Sequence, residues 1–371
     1  MIGNARARLA GGGLDFILSV CVAILALLVA LIFVVAAGVS FTDGAHAFVS
    51  GAFGSQLNIA GTLAKMVPLT LVALGWIVVF RAGRFHVGFP GQILIGGLFV
   101  TFAAIKIDLP AVLHLPLVLV AGMVGGALYA GIAAWLWAKR GVNEILSTLL
   151  LNLIAAQILA WWVRGPLHDH TSPLPLTPAL PNSAQWPELL KDTDLHWDIV
   201  LVPLAAILIA FLLARTLAGF RMRLVGSGER IARHAGVSPE RTGVRAIMLS
   251  GALAGLAGAT LTAAGTTPQV GEDFAGTYGF TGIAVALLAR NNALAAVPAA
   301  LLFAALEQGG QTMEGTIGIS SSLVDFIQGL MIVLVLAATT LLYLVRRRRT
   351  TTPTPGRPKR AAPQPELEPS Q

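Results

Sequence analysis

The chain is 371 residues long, 56% of them hydrophobic and 12% charged, against about 25% charged in an average soluble domain. A water-soluble protein could not hide that much apolar surface in its cores, so the composition excludes one and calls for lipid. The net charge of +7 does not mark a nucleic-acid binder, because the Lys and Arg residues are strung between apolar runs and form no single patch.

A helix rises about 1.5 Å per residue, so about 20 apolar residues cross the ~30 Å hydrocarbon layer. Helices are the expected spanning element, since lipid offers no partners to open backbone groups. The first apolar run, Leu14 to Gly38, is too long for the core of a secretion signal and reads as a retained span. The single cysteine, Cys21, lies in it; it permits no internal disulfide, Cys-based zinc site or CxxC pair, and reads as a small core residue. Further spans are expected at 62–80, 89–106, 111–137, 144–163, 197–219, 246–266, 279–289, 293–309 and 322–345. The eighth is too short to cross alone and either starts earlier or is a half-helix. The expected fold is therefore an all-α polytopic membrane protein with about ten transmembrane helices.

With Arg6 and Arg8 placed in the cytoplasm and the sides alternated, 21 of the 25 Lys and Arg residues fall inside. The outside keeps Lys65, Lys106, Arg164 and Lys191. That asymmetry supports an even number of crossings with cytoplasmic N- and C-termini. The transmembrane domain is thus 1–345. It includes a Pro-rich extracellular loop at 164–196 and a cytoplasmic loop at 220–245 carrying a short amphiphilic helix. A basic, Pro/Thr-rich tail at 346–371 reads as disordered. Small residues four apart at Gly122/Gly126, Ser250/Ala254/Gly258 and Gly251/Gly255 read as close helix packing.

Motifs for chemistry are missing. No G-x-x-x-x-G-K-[ST], H-E-x-x-H or G-x-S-x-G occurs, so no catalytic site and no cofactor are expected; if ATP drives the protein, another chain binds it. His168-Asp169-His170 in the outer loop has no third ligand nearby, so no metal site is expected.

Polar groups at membrane depth are few, and a buried charge there costs on the order of 3 kcal/mol. Glu144, Thr148 and Asn152 recur at spacing four on the fifth span, with Asn143 and Ser147 alongside. The stripe either lines the substrate path or its inner gate, or Asn143 caps the helix, Glu144 favours its dipole and the rest serve packing. Glu307-Gln308 and Asp325 with Gln328 sit near the outer ends of the last spans and read as interface solvation. In the inside loop, Glu229 to Ala235 can make two helical turns ended by Gly236, with Ile231 and Ala235 as an apolar patch among Arg230, Arg233 and His234. It is either a docking helix for a cytoplasmic partner or a solvated linker.

Several of these stretches resemble the permeases of bacterial simple-sugar and nucleoside ATP-binding-cassette importers. They are Asn143 to Asn152, Arg164-Gly-Pro-Leu, Gly226 to Gly236, Ser250 to Gly258 and Tyr278 to Asn292. The last, with Gly282, Arg290, Asn291 and Asn292, matches most closely, and the likeness runs in order over about 60–345. The Asn-Glu start of the fifth span and the loop after it look most like the purine-nucleoside branch. The resemblance implies a ten-helix permease in the plasma membrane that pairs with a second permease, usually a distinct chain. It also implies an extracellular binding protein and an ATPase docked on the 226–236 loop (Gly226, Glu229, Arg230, Ile231, Arg233, Ala235, Gly236). After the second span the family reads R-A-G-x-F-N-I-G-x-E-G-Q; here His86 replaces the Asn and Pro90 the acid, while Gly88, Gly91 and Gln92 are kept.

The expected function is the path-forming permease subunit for a nucleoside or simple sugar. The alternative is a stand-alone secondary carrier or channel. The span interiors, nearly bare of ionisable groups, speak against an ion-coupled carrier, and no nucleophile–base or metal pair suggests an enzyme.

Overall fold

Side-chain caps set the start of five of the eleven described α-helices in the computed structural model, which describes residues 40–264 and 268–317 and four isolated positions beyond them (326, 329, 330 and 333). The expected spans 14–38 and 322–345, the tail 346–371, Cys21, Asp325 and Gln328 lie outside the described residues.

Ser40 accepts a hydrogen bond from Asp43 N at 3.1 Å and starts α1 (Phe41–Phe53), an element the hydropathy reading did not anticipate. Ser55 does the same for Asn58 N at 3.1 Å, so α2 runs Gln56–Arg81, six residues earlier than expected. Next, α3 (Phe89–Lys106) carries Pro90 in its first turn, where a missing N–H costs nothing, and α4 (Ala111–Arg140) closes on Gly141 in the left-handed region at φ 66°. Helix α5 spans Glu144–Arg164 behind the cap Asn143.

The expected span 197–219 is divided. A 3₁₀ turn (Trp197–Val200) leads into α6 (Leu201–Arg215), which ends where Thr216 turns extended. Thr216 Oγ1 donates to Leu212 O at 2.6 Å, accepts from Gly219 N at 3.1 Å and so opens α7 (Leu217–Ser227). Then come α8 (Glu229–His234) and α9 (Pro239–Ala263). The latter begins well before the expected residue 246, because Ser238 caps it and Pro239 favours its first turn. The short helix α10 (Tyr278–Leu288) and α11 (Ala296–Ile317) complete the described set.

Among the described residues, six helical segments are long and apolar enough to cross a membrane: Gln56–Arg81, Phe89–Lys106, Ala111–Arg140, Glu144–Arg164, Trp197–Arg215 and Pro239–Ala263. Helix α10 is apolar but shorter, and α11, expected as a span, carries Glu307, Gln308, Gln311 and Glu314 and falls below the apolar level of the six. Helices α2 and α9 are the innermost, and α4, α5 and α6 are outer staves. The staves present Leu146, Leu150, Leu153, Ile207, Leu208 and Phe211 outward, a surface that only lipid or another apolar partner covers.

The small-residue spacings seen in the sequence sit where backbones touch. A Cβ on Gly255 would lie 2.0 Å from Gly122 O, one on Gly126 2.2 Å from Gly251 O, and one on Gly258 2.4 Å from Ile93 O. The α4–α9–α3 contact therefore needs its glycines, as close helix packing requires. Helix α1 is tucked beneath α2 and α11: Thr62 donates to Ala52 O at 2.8 Å, and Thr312 to Gly51 O at 3.3 Å.

Candidate functional site

Gly83, at φ 70°, turns the chain back after α2, and residues 84–88 then run without helical structure until α3 begins. Such backbone, packed inside a membrane protein, must find partners from neighbouring side chains. The polar stripe of α5 supplies them. Glu144 Oε2 accepts from Phe85 N at 3.2 Å and Thr148 Oγ1 from Val87 N at 3.2 Å. Asn152 donates from Nδ2 to Val87 O at 2.8 Å and accepts at Oδ1 from Gly91 N at 2.9 Å. Spacing four puts the three side chains on one helical face, and that face meets the extended segment. Asn143 stands outside the set as the cap, accepting from Ile145 N at 2.9 Å and Leu146 N at 3.2 Å. Ser147 donates to Glu144 O at 3.1 Å within the helix.

The other side of the segment is held by His86. Its Nδ1 accepts from Gly88 N at 3.2 Å, so Nε2 carries the proton and donates to Ser250 Oγ at 3.0 Å. The ring is fully buried and stacked on Phe89 at 4.8 Å, and burial pushes its pKa down to about 4. Pro90, where the resembling pattern has an acid, packs its ring against Gly279, whose Cβ would lie 2.7 Å away. Gly88 and Gly91 are as tightly set: Cβ atoms there would meet Thr148 at 3.2 Å and Asn152 Oδ1 at 2.9 Å. Gln92 is buried beside them, with Oε1 unpartnered.

Arg84 joins this assembly to the 220–245 loop. Its Nη1 reaches Glu144 Oε1 at 3.1 Å, its Nη2 bonds Glu229, and its guanidinium lies 4.0 Å over the Trp137 ring. Glu229 is the first residue of α8, and the chain of charges continues through Arg233 (3.8 Å) to Glu240 (2.6 Å). Glu144 and Arg84 are 9% and 11% exposed, so removing Arg84 leaves the buried Glu144 carboxylate without its cation, at a cost of about 3–5 kcal/mol, whereas removing Glu144 leaves Arg84 still paired with Glu229. Helix α8 is pinned by buried Ala232, while Arg230, Ile231, Arg233, His234 and Ala235 face outward. Gly228 at φ 154° and Gly236 at φ 73° bound it, and Gly226 packs with its Cα side against Arg81 O.

The remaining resembling positions lie elsewhere. Gly282 is set against Val72, where a Cβ would approach to 2.4 Å. Arg290 (φ 54°) and Asn291 (φ 56°) form the left-handed turn after α10, Arg81 donates to Asn291 O at 2.9 Å, and Asn292 accepts from Leu294 N at 3.0 Å ahead of α11. The loop at 164–196 has no long regular element, yet it is tied down: Thr177 N donates to Val270 O at 3.0 Å, Trp186 N to Ala263 O at 2.9 Å, and Arg164 pairs with Glu272. The Arg164 guanidinium holds the Glu272 carboxyl below its ordinary range. His168 and His170 touch edge-on at 5.4 Å, while Asp169 accepts from Thr171 at 2.6 and 2.9 Å. Among the described residues no three His, Cys, Asp or Glu side chains gather as metal ligands.

Sequence reasoning treated Arg84 as one more inside charge and did not single out Ser250's hydroxyl, Trp137, Lys65 or Asp198. No spacing signals Arg84, Ser250, Trp137 or Lys65, because their partners lie 53 (Arg84 to Trp137) to 242 (Lys65 to Glu307) residues away along the chain. Glu307, expected to face the interface, instead pairs with Lys65 at 3.8 Å, both side chains less than a fifth exposed.

A family model described as branched-chain amino acid transport system / permease component matches residues 58–336. The chain is 37% identical over 292 residues to a glucose ABC transporter permease protein of Haloferax volcanii, covering 76% of this chain and 77% of that one. It is 33% identical over 318 residues to the guanosine ABC transporter permease protein NupP of Bacillus subtilis, covering 84% and 90%. A second guanosine ABC transporter permease protein of that organism, NupQ, is 26% identical over 67% of this chain and 80% of its own length.

Proposed function

Because the chain belongs to the branched-chain amino acid transport system / permease component family, we propose that it works as the membrane-spanning subunit of an ATP-binding-cassette importer for a nucleoside or simple sugar, with α8 as the contact for a separate ATPase. The observation that carries the coupling role is Arg84 held between Glu229 on α8 and Glu144 at the start of α5. The apolar Ile231, 57% exposed among Arg230, Arg233 and His234, is the surface offered to that partner. A push on α8 reaches Arg84, and through it both the inner end of α5 and the extended segment that leads into α3. In this reading the Asn143–Asn152 stripe is the inner gate's clamp.

ATP is bound and hydrolysed by the partner, and this chain needs no cofactor of its own. The two Bacillus subtilis guanosine permeases, distinct chains that both match this one, support a heterodimer with a second permease, and an extracellular binding protein delivers the cargo. Ten spans with both termini cytoplasmic remain the topology that the distribution of Lys and Arg favours.

The test is reconstitution of the full complex in proteoliposomes with labelled guanosine and labelled glucose. ATP-dependent accumulation of one of them is expected. Replacing Glu229, Arg230 and Ile231 by glycines should abolish co-purification of the ATPase and uptake together; uptake at the full rate would overturn the coupling role.

A further inference from the structure

Helix α7 (Leu217–Ser227) is pinned at both ends to the C-terminal ends of membrane-crossing helices. Near its start, a Cβ on Gly219 would lie 2.1 Å from Leu212 O in the last turn of α6. At its other end, a Cβ on Gly226 would lie 2.4 Å from the carbonyl of Arg81, the last residue of α2. Eleven residues rise about 16 Å, so a helix fixed at these two points runs along the membrane boundary instead of leaving it. Gly219, Met222 and Val225 form its buried face. At about 100° per residue, Leu217, Phe220 and Leu224 fall on the opposite side, with Arg221 on one flank of that ridge and Arg223 on the other. Leu217 and Phe220 are 63% and 50% exposed, and they follow directly on the exposed apolar face of α6 (Ile207, Leu208, Phe211).

Arg215, Arg221 and Arg223 are exposed as well. Among the described residues none of the three makes an ion pair, and residues 199–228 contain no Asp or Glu. Helix α8 differs, since its Glu229 and Arg233 are already engaged in ion pairs. An apolar ridge at the height where spans end, flanked by free guanidinium groups, is built to lie in a headgroup layer. The ridge reaches the acyl boundary while the arginines, with donors in a fork, meet phosphate oxygens. We propose that α7 is an interfacial helix that seats on anionic phospholipid headgroups through Arg215, Arg221 and Arg223. Each such cation favours an anionic surface about fivefold, so the three together select anionic over neutral lipid about a hundredfold at low salt. The selection weakens as salt screens it. This inference stands on the membrane-spanning fold and does not depend on the cargo or on the coupling role of α8.

The experiment uses the full chain in nanodiscs containing equal amounts of phosphatidylglycerol and phosphatidylcholine, without ATPase or cargo. In a Cys21→Ser background, Ser227→Cys, exposed at the end of α7, carries a fluorophore. A nitroxide quencher is attached near the top of the acyl chain of one lipid or the other. Quenching is expected from both, with phosphatidylglycerol strongly enriched at the label and the enrichment falling as salt is raised. Arg215→Gln, Arg221→Gln and Arg223→Gln combined should abolish the enrichment, and each alone should lower it about fivefold. The three Arg→Lys replacements, which keep the charges, should retain most of it. Equal quenching by the two lipids, or enrichment that survives the combined Gln variant, would overturn the anionic seat. Absence of quenching by either lipid would overturn the membrane seating and mark the ridge as a protein-facing surface. Each of these outcomes leaves the importer reading untouched.

Discussion

His86 donates from Nε2 to Ser250 Oγ at 3.0 Å, bridging the segment before α3 to the middle of α9. The companion bond from Gly88 N to Nδ1 requires the neutral ring, since a protonated Nδ1 cannot accept. The unfolded chain binds a proton near 6.5 and the folded one only near 4, so the folded state is fully favoured above 6.5 and loses stability as pH falls toward 4. Between pH 7 and pH 5 the loss is about 2 kcal/mol. Thermal unfolding in detergent at the two pH values checks it. His86→Asn, the residue of the resembling pattern, should remove this part of the pH dependence.

Asn152 satisfies two backbone groups of the extended segment at once. Asn152→Ala leaves Val87 O and Gly91 N without these partners, at about 1–3 kcal/mol for each group that stays dry. A clear fall in melting temperature is expected, while Asn143→Ala, which loses a helix cap, should cost about 1 kcal/mol. Equal effects of the two would contradict the clamp.

Arg84→Ala should separate ATP hydrolysis from uptake. In the reconstituted complex the ATPase is expected to keep turning over while accumulation falls at least tenfold, because the link from Glu229 to Glu144 is cut. Glu229→Gln keeps a hydrogen-bonding partner for Arg84 and should be milder. Parallel loss of both activities in Arg84→Ala would point to a folding defect.

The glycine seam predicts a contrast between two sites. Gly255→Ala puts a methyl group 2.0 Å from Gly122 O and forces α4 and α9 apart, costing about 1–3 kcal/mol or more. Gly131→Ala, also on α4, meets nothing closer than 3.9 Å and should be neutral or stabilising by up to about 1 kcal/mol. Yields and melting temperatures of the two variants decide it.

Much of the fold was legible because hydropathy and helix length are local. The spans at 89–106 and 144–163 fall on α3 and α5 nearly to the residue. The division at Thr216 was not legible, since the apolar run continues through it and only the hydroxyl's choice of partners breaks the helix. Helix α1 escaped because it is short and its buried residues are mostly small (Gly44, Gly51, Ala52), so it depends on α2 and α11 for cover. At the site, the stripe of α5 was visible as a pattern, but its counterpart is bare backbone, which leaves no trace in side-chain spacing. Arg84 likewise joins residues brought near only by the tertiary fold.

The cross-links between the stripe and residues 85–91 have a mechanical meaning. A stretch lacking internal rungs cannot transmit force as a spring, so it travels with whatever grips it. The inner portions of α3 and α5 must then shift as a single strut, braced at the far side by Ser250. A movement of that strut has to part a different boundary, and the Leu-lined face that α5 turns away from its neighbours is the flank along which it can slide.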